Sequence, residues 1–308
     1  MSSELEELFE KKDILLCCDK LFALQNSLSA QQGLAGQSER DVQLEEFKNR
    51  LEAVIAPLIV QSFGDGNIDN SKKYVEIFMK LDRLPQIQQY YRTLQKNSLN
   101  GYWNEITDAA ENTGNQRFLR DFYEYLLSNW TKQVKWCRQV FSNDGQLEPT
   151  LVLIETLTNL QPTREFIINS SLKRNNEKME LLLEISQANV SFGQSIQERF
   201  NELEVNNFSD DIMKQLSKSI FDFFNIFIIQ YTNMEQTTLN TQLDILDIMR
   251  PSAGETIRCL ESSIGKIFDW TNESISRSLN ITQHCAVISL VYMLNVSTIK
   301  LFNNTQLI

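Results

Sequence analysis

Residues 44–63 read LEEFKNRLEAVIAPLIVQSF, and residues 67–92 read NIDNSKKYVEIFMKLDRLPQIQQYYR. Apolar side chains in the first stretch recur at alternating spacings of three and four residues: Leu44, Phe47, Leu51, Val54 and Leu58. This spacing places them on one face of an α-helix in a heptad seam. Pro57 lies inside the seam and predicts either a kink or the start of a new helix. The two stretches therefore predict an all-helical chain.

A second heptad seam precedes the first, after Asp13, which is a predicted N-cap. Its members are Ile14, Cys17, Leu21, Leu24 and Leu28. Two seams joined by a glycine-containing loop at 33–38 predict an antiparallel helical hairpin over residues 1–63. Burying one face of each of two helices does not offset the conformational entropy that ordering about 45 residues costs. The hairpin must therefore pack on the remaining chain or on a partner.

The seam from Ile14 to Leu28 is the predicted partner-binding surface. The alternative is that it packs only against residues 44–58 of the same chain. Both interpretations use the same apolar side chains, and the sequence leaves the choice between them open.

Composition supports the same fold class for residues 64–308. The 308-residue chain is 42% hydrophobic and contains 10 Gly and 5 Pro, few for the tight turns of an antiparallel sheet. The predicted fold is all-α, an elongated antiparallel helical bundle or helical rod, with 64–308 as a helical-bundle domain.

Three helix starts are predicted within that domain: Asp69 as an N-cap, Ser209 before two aspartates, and the capping box of Ser252 and Glu255. The helix after Ser209 is predicted to run without a break through Tyr231, and a final helix is predicted over residues 282–302.

Charge and hydropathy argue against several classes of protein. The net charge is −11 and the sequence pI is about 4.8. Because no basic run occurs, nucleic-acid binding and polybasic attachment to lipid are not expected. No segment reaches the roughly 18 apolar residues of a membrane span. The five cysteines are scattered and the N-terminus is polar and acidic, which predicts reduced thiols in the cytosol.

Three motifs resemble chemical sites but have simpler explanations. Asp65, Asn67, Asp69 and Glu76 have the offsets of a calcium loop, yet no second loop exists and a polar loop before a helix explains them. The pair Asp210-Asp211 resembles an acidic box of helical synthases, but capping explains it. His284 lies beside Cys285, and adjacent helical positions point about 100° apart. No catalytic residue, metal ligand or cofactor site is therefore predicted.

Several segments also carry a family resemblance in one order along the chain. They are KNRLEA (48–53), DNSK (69–72), LDRLPQ (81–86), Tyr90-Tyr91 and, more weakly, YTNMEQTTL (231–239). Together they resemble the subunit-seven family of the conserved oligomeric Golgi complex, a vesicle tether. The match is close over 44–92 and diffuse elsewhere.

The resemblance implies a non-enzymatic, rod-like subunit of a hetero-oligomer on the cytosolic face of the Golgi membrane, attached peripherally through its partners. The implied partners are subunits five, six and eight, with Rab GTPases, golgins and SNAREs. The implied role is intra-Golgi retrograde transport, which maintains Golgi organisation and glycosylation. Family members extend beyond both ends of this chain, so a fragment, a shortened isoform or an incompletely predicted gene product is expected.

Two other interpretations remain. One alternative is a generic all-helical scaffold or adaptor outside the Golgi. The other is an all-helical metal-dependent synthase. A divalent metal at Asp210 and Asp211 would favour the synthase, and co-purification with the other tether subunits would favour the family interpretation.

Overall fold

The computed structural model describes ten segments of the chain: residues 2–11, 13–30, 37–113, 117–142, 145, 147–175, 177–205, 208–246, 252–284 and 286–306. These segments are almost entirely helical and contain no β-strand. The prediction of an all-α bundle is confirmed. The chain divides into two compact units, and the helices α5 (Leu84–Thr113) and α6 (Phe118–Val140) contribute residues to both of them.

The first unit comprises Met1–Tyr102 and Ser128–Thr158. Its helices are α1 (Ser2–Lys11), α2 (Ile14–Ala30), α3 (Gln37–Gly64), α4 (Ile68–Lys80), the first part of α5 (Leu84–Thr113), the last part of α6 (Phe118–Val140) and α7 (Leu147–Thr158). The predicted domain boundary after residue 63 falls just before the last residue of α3, and α3 packs on α4 inside this unit. As a division into domains it stays a prediction.

The predicted N-terminal hairpin is formed by α2 and α3. The Asp13 carboxylate caps α2 by accepting a hydrogen bond from the Leu16 amide at 3.2 Å, which confirms this cap. Helix α1 packs on α2, and the Phe9 ring stacks on Phe47 of α3 at 6.2 Å.

Helix α3 runs unbroken through Pro57, so a new helix does not begin there. Pro57 lies on the exposed side, where its missing amide hydrogen bond leaves the apolar face of α3 intact. The alternative of a new helix at Pro57 was therefore wrong.

The start of α4 differs from the prediction by two residues. Asn67, not Asp69, is the N-cap, and its side-chain oxygen accepts from the Asn70 amide at 3.1 Å. Asp69 lies in the first turn instead, where its negative charge is favourable at the positive end of the helix dipole. An extended backbone is needed at the cap, and Asn67 adopts it.

The second unit comprises Trp103–Leu127 and Asn159–Ile308. It contains the remaining parts of α5 and α6, followed by α8 (Arg164–Arg174), α9 (Lys178–Glu202), α10 (Asp210–Phe221), a 3-10 turn (Asp222–Phe224), α11 (Asn225–Ile245), α12 (Ala253–Thr282) and α13 (Val287–Gln306). The caps at Ser209 and Ser252 are confirmed, because each hydroxyl accepts from the amide three residues later.

Three features of this unit differ from what the sequence predicted. Helix α8 was not predicted, because its polar sequence gives only weak apolar periodicity. The helix after Ser209 does not continue to Tyr231, since a 3-10 turn separates α10 from α11. Both adjacent rings in that turn, Phe223 and Phe224, are buried, and the tighter turn changes the helical phase between the two helices. The last helix begins at Val287, because α12 extends to Thr282.

Candidate partner-binding surfaces

The five residues of the predicted N-terminal seam lie on one side of α2. Cys17, Leu21 and Leu28 are buried, whereas Ile14 and Leu24 are half-buried. Helix α2 packs on α3 and α4 and contacts α1, so much of the seam is covered by helices of its own unit. Partner contact through the five residues stays a prediction, and Ile14 and Leu24 are the members with accessible surface.

A buried arginine connects α3 to the start of α5. Arg83, in the link after α4, donates hydrogen bonds to Glu52 at 2.6 Å, to Glu45 at 2.7 Å and to the Asn49 side chain at 2.7 Å. The preceding residue, Asp82, has a positive φ of 58° and turns the chain so that Arg83 reaches α3. Arg83 therefore fixes the link between α4 and α5 against α3.

The second unit contains a buried ion pair between α11 and α12. The Glu235 carboxylate is fully buried and accepts from Arg277 Nη2 at 2.6 Å and Nε at 3.2 Å. The Tyr231 hydroxyl also donates to it, at 2.8 Å. Burial is the main cause that raises the pKa of Tyr231, and the carboxylate adds to it. The pair holds two helices in register.

Sequence reasoning missed these buried charges, although α11 carried a signal. Its buried side chains are Phe227, Tyr231, Glu235 and Leu239, one every fourth residue. A lone carboxylate within such an apolar series indicates a buried partner of opposite charge. Arg83 had no comparable signal, because it lies in a link between helices.

The second unit also exposes apolar side chains on α12. Ile257, Ile264 and Phe268 are 55%, 47% and 65% exposed. Elsewhere in the unit, an open groove of about 410 Å³ lies between α6 and α9 and includes Arg120 and Glu124 in its lining. These features offer surface for helices or peptides.

The motifs that resembled chemical sites take ordinary structural positions. Asp69 and Glu76 lie within α4, so they do not form a loop around an ion. Asp210 and Asp211 occupy the first turn of α10. His284 is exposed in the link between α12 and α13, with a φ of 69°, and its neighbour Cys285 lies outside the described residues.

The described segments contain no group of three or more His, Cys, Asp or Glu side chains that could hold a metal ion. In the same segments, no helix has both the length and the apolar character that crossing a lipid bilayer requires.

The chain is thus an all-helical protein whose candidate sites are helix surfaces. The family profile described as Golgi complex component 7 matches residues 1–307, so the chain belongs to this family. It is similar to conserved oligomeric Golgi complex subunit 7 from Drosophila melanogaster, with 39% identity over 95% of this chain and 40% of that protein.

More distant relatives carry the same name. The protein from Bos taurus is 30% identical over 92% of this chain and 36% of its own length. The protein from Homo sapiens is 28% identical over 99% of this chain and 40% of its own length. The chain therefore spans about 40% of the length of the curated relatives that it matches. No solved structure matches it.

Proposed function

We propose that this chain is a non-enzymatic subunit of the conserved oligomeric Golgi complex, a vesicle tether. The observation that carries the proposal is family membership over residues 1–307, together with relatives that are all named subunit 7 of that complex. Its role is intra-Golgi retrograde transport, which keeps glycosylation enzymes in their cisternae and so maintains Golgi organisation.

The proposed partners are subunits five, six and eight, with SNAREs, Rab GTPases and golgins reached through the assembled complex. The chain sits peripherally on the cytosolic face of the Golgi membrane through these partners. Its net charge of −11 argues against direct attachment to anionic lipid, because like charges repel at that surface.

The binding chemistry of the proposal is helix packing. It draws support from apolar side chains that remain exposed on otherwise well-packed helices, such as Leu15 and Leu16 on α2 and Phe268 on α12. Ile264 and Phe268 lie one helical turn apart on α12, where exposed apolar side chains can contact the apolar face of a partner helix. A subunit that buries such surface on assembly accounts for it.

Co-expression with subunits five, six and eight of the Drosophila complex tests the proposal. The expected result is a single co-purified assembly that contains the chain in a fixed ratio. Recovery of those three subunits without the chain, while the chain itself is soluble and helical, would reject the proposal.

The N-terminal seam needs a separate variant. Leu24→Glu changes a half-buried member, whereas Leu21 is fully buried and a charge there would unfold the hairpin. Loss of co-purification with Leu24→Glu, with the helical circular dichroism unchanged, supports partner contact at the seam. Unchanged co-purification would assign the seam to packing within the chain.

A further inference from the structure

Helix α1 occupies a cleft between α2 and α3 in the first unit. Its Glu4 carboxylate accepts a hydrogen bond from Lys20 of α2 at 3.1 Å. Its Glu6 carboxylate lies 3.6 Å from the Arg50 guanidinium of α3. Leu5, between these two acids, is only 2% exposed. The two acids thus reach the two walls of the cleft, and the leucine between them is enclosed.

A second apolar side chain of α1 anchors it in the same cleft. Phe9 lies one helical turn after Leu5 on the same face of α1 and is buried. Its ring stacks on Phe47 of α3 at 6.2 Å, and the Arg50 guanidinium lies 4.7 Å from the ring centre. The helix that the cleft holds is therefore amphipathic and acidic, with two apolar side chains four residues apart.

The cleft does not depend on α1 for its shape. Helices α2 and α3 pack on each other, and both pack on α4. Lys80 of α4 donates a hydrogen bond to Asp19 of α2 at 3.2 Å, and Arg83 binds three side chains of α3. The two walls of the cleft therefore stay together when α1 leaves.

Few contacts hold α1 in the cleft. Among the side chains of α1 whose burial the structure describes, Leu5 and Phe9 are the buried ones. The ion pairs to Lys20 and Arg50 are exposed, and exposed pairs contribute little to stability. Elements with few buried contacts open locally at a low cost in free energy. Helix α1 can therefore leave the cleft while α2, α3 and α4 stay folded.

We propose that α1 is a displaceable cover of a helix-binding cleft, and that an acidic amphipathic helix of another subunit replaces it on assembly. The contacts of α1 define the chemistry of that helix. It places apolar side chains in the positions of Leu5 and Phe9, and carboxylates toward Lys20 and Arg50. These two cations favour an acidic helix over a basic one.

The cover also makes binding depend on assembly. Because α1 is part of the same chain, its effective concentration at the cleft is high, and a separate helix in dilute solution competes poorly with it. A helix that other contacts of the complex already hold nearby competes well. The inference therefore rests on the proposed function, since it needs an assembly that brings the partner helix to the cleft.

Photocrosslinking from one position distinguishes the two occupants. Benzoylphenylalanine replaces Phe47, which is half-buried against the Phe9 ring. The chain is irradiated alone and after co-expression with subunits five, six and eight of the Drosophila complex. The crosslink is expected on α1 in the chain alone and on an acidic helix of another subunit in the assembly. A crosslink that stays on α1 in the intact assembly, moves to a second copy or disappears would overturn the inference.

Charge substitutions in α1 test the competition. The double variant Glu4→Lys with Glu6→Lys makes α1 repel Lys20 and Arg50, so the cleft is covered for a smaller fraction of the time. In a titration with the purified assembly of subunits five, six and eight, this variant should bind about three- to tenfold more tightly than the wild type.

The matched control is Glu7→Lys with Glu10→Lys, which makes the same change of charge on the same helix. Glu7 pairs with Lys11 within α1, and Glu10 is exposed. The affinity of this control should change less than about twofold.

An affinity of the Glu4 and Glu6 variant that equals or falls below that of the wild type, with wild-type assembly intact, would reject this inference alone. Helix α1 would then be a fixed part of the unit or a partner contact itself. Failure of the wild-type chain to assemble at all would reject the proposed function, and this inference with it.

Discussion

Replacing Arg277 with alanine tests how the buried ion pair holds α11 and α12 together. The substitution removes both guanidinium hydrogen bonds from Glu235, whose carboxylate is fully buried. The Tyr231 hydroxyl still donates a hydrogen bond to the carboxylate. A carboxylate left without its cation in the interior destabilises a protein by roughly 3–5 kcal/mol.

The lower end of that range applies here. The Arg277 side chain is 26% exposed, so water can enter when it is removed and partly solvate the carboxylate. We expect the free energy of unfolding to fall by about 3 kcal/mol, which is a large share of the free energy of unfolding of about 5–15 kcal/mol that is typical of folded proteins. Because the chain has two compact units, the loss should be confined to the unit that contains the pair.

Hydrogen exchange followed by mass spectrometry measures the effect locally. Peptides from α11 and α12 should exchange about a hundredfold faster in Arg277→Ala, which corresponds to about 3 kcal/mol, while peptides from α3 and α4 should not change. The control is the double variant Glu235→Leu with Arg277→Leu, which removes both charges and should remain within about 1–2 kcal/mol of the wild type.

Two results would refute this reasoning. Exchange in Arg277→Ala that rises less than about fivefold would mean that the carboxylate is solvated in solution. A double variant as unstable as the single one would mean that lost packing, and not a stranded charge, causes the effect.

Three other properties can be checked by simple assays. Gly145→Ala should lower the free energy of unfolding, measured by urea titration, by about 1–3 kcal/mol, because a Cβ there would lie 2.6 Å from a backbone oxygen. Gly101 occupies an open helical position, so Gly101→Ala should raise the free energy of unfolding by about 0.5–1 kcal/mol in the same titration. In native protein, Cys259 should react with a thiol reagent well before Cys137, whose pKa is raised by burial; equal rates would contradict the packing of the first unit. The free energy of unfolding should fall above about pH 10, because burial raises the pKa of Tyr231 in the folded chain. The contribution of Tyr231 to stability is complete below the pKa of the unfolded chain and is lost as the pH rises above that pKa. Tyrosinate absorbance that rises without loss of helical circular dichroism would argue against this burial.

The fold could be predicted from sequence where the apolar period is strong and a cap is local. The cap at Asp13 and the cap at Ser252 each depend on residues within one or two turns. The Leu44–Leu58 spacing predicted the helix correctly but not its packed face, because Val54 and Leu58 are exposed whereas Ile55 and Ile59 are fully buried. The break between α10 and α11 depends instead on how Phe223 and Phe224 both fit into the core, which no local rule specifies. Helix α8 was missed because tertiary packing stabilises a segment with weak periodicity.

The candidate surfaces were less predictable than the fold. A heptad seam shows that a helix face will be covered, but not by which helix. The seam of α2 lies largely against its own unit, whereas the apolar side chains Ile257, Ile264 and Phe268 of α12 remain exposed. Arg83 was unpredictable for a related reason, because its three partners on α3 are more than 30 residues away in the chain.

The mass of the particle formed with the other subunits tests the central claim most directly. The chain, of 35.8 kDa, is mixed with purified subunits five, six and eight of the Drosophila complex and passed through size-exclusion chromatography with light scattering. If the chain is a subunit of the complex, a single particle elutes whose mass equals the sum of its components, including this chain. Elution of the chain by itself at 35.8 kDa, with the other subunits assembled without it, would contradict the account.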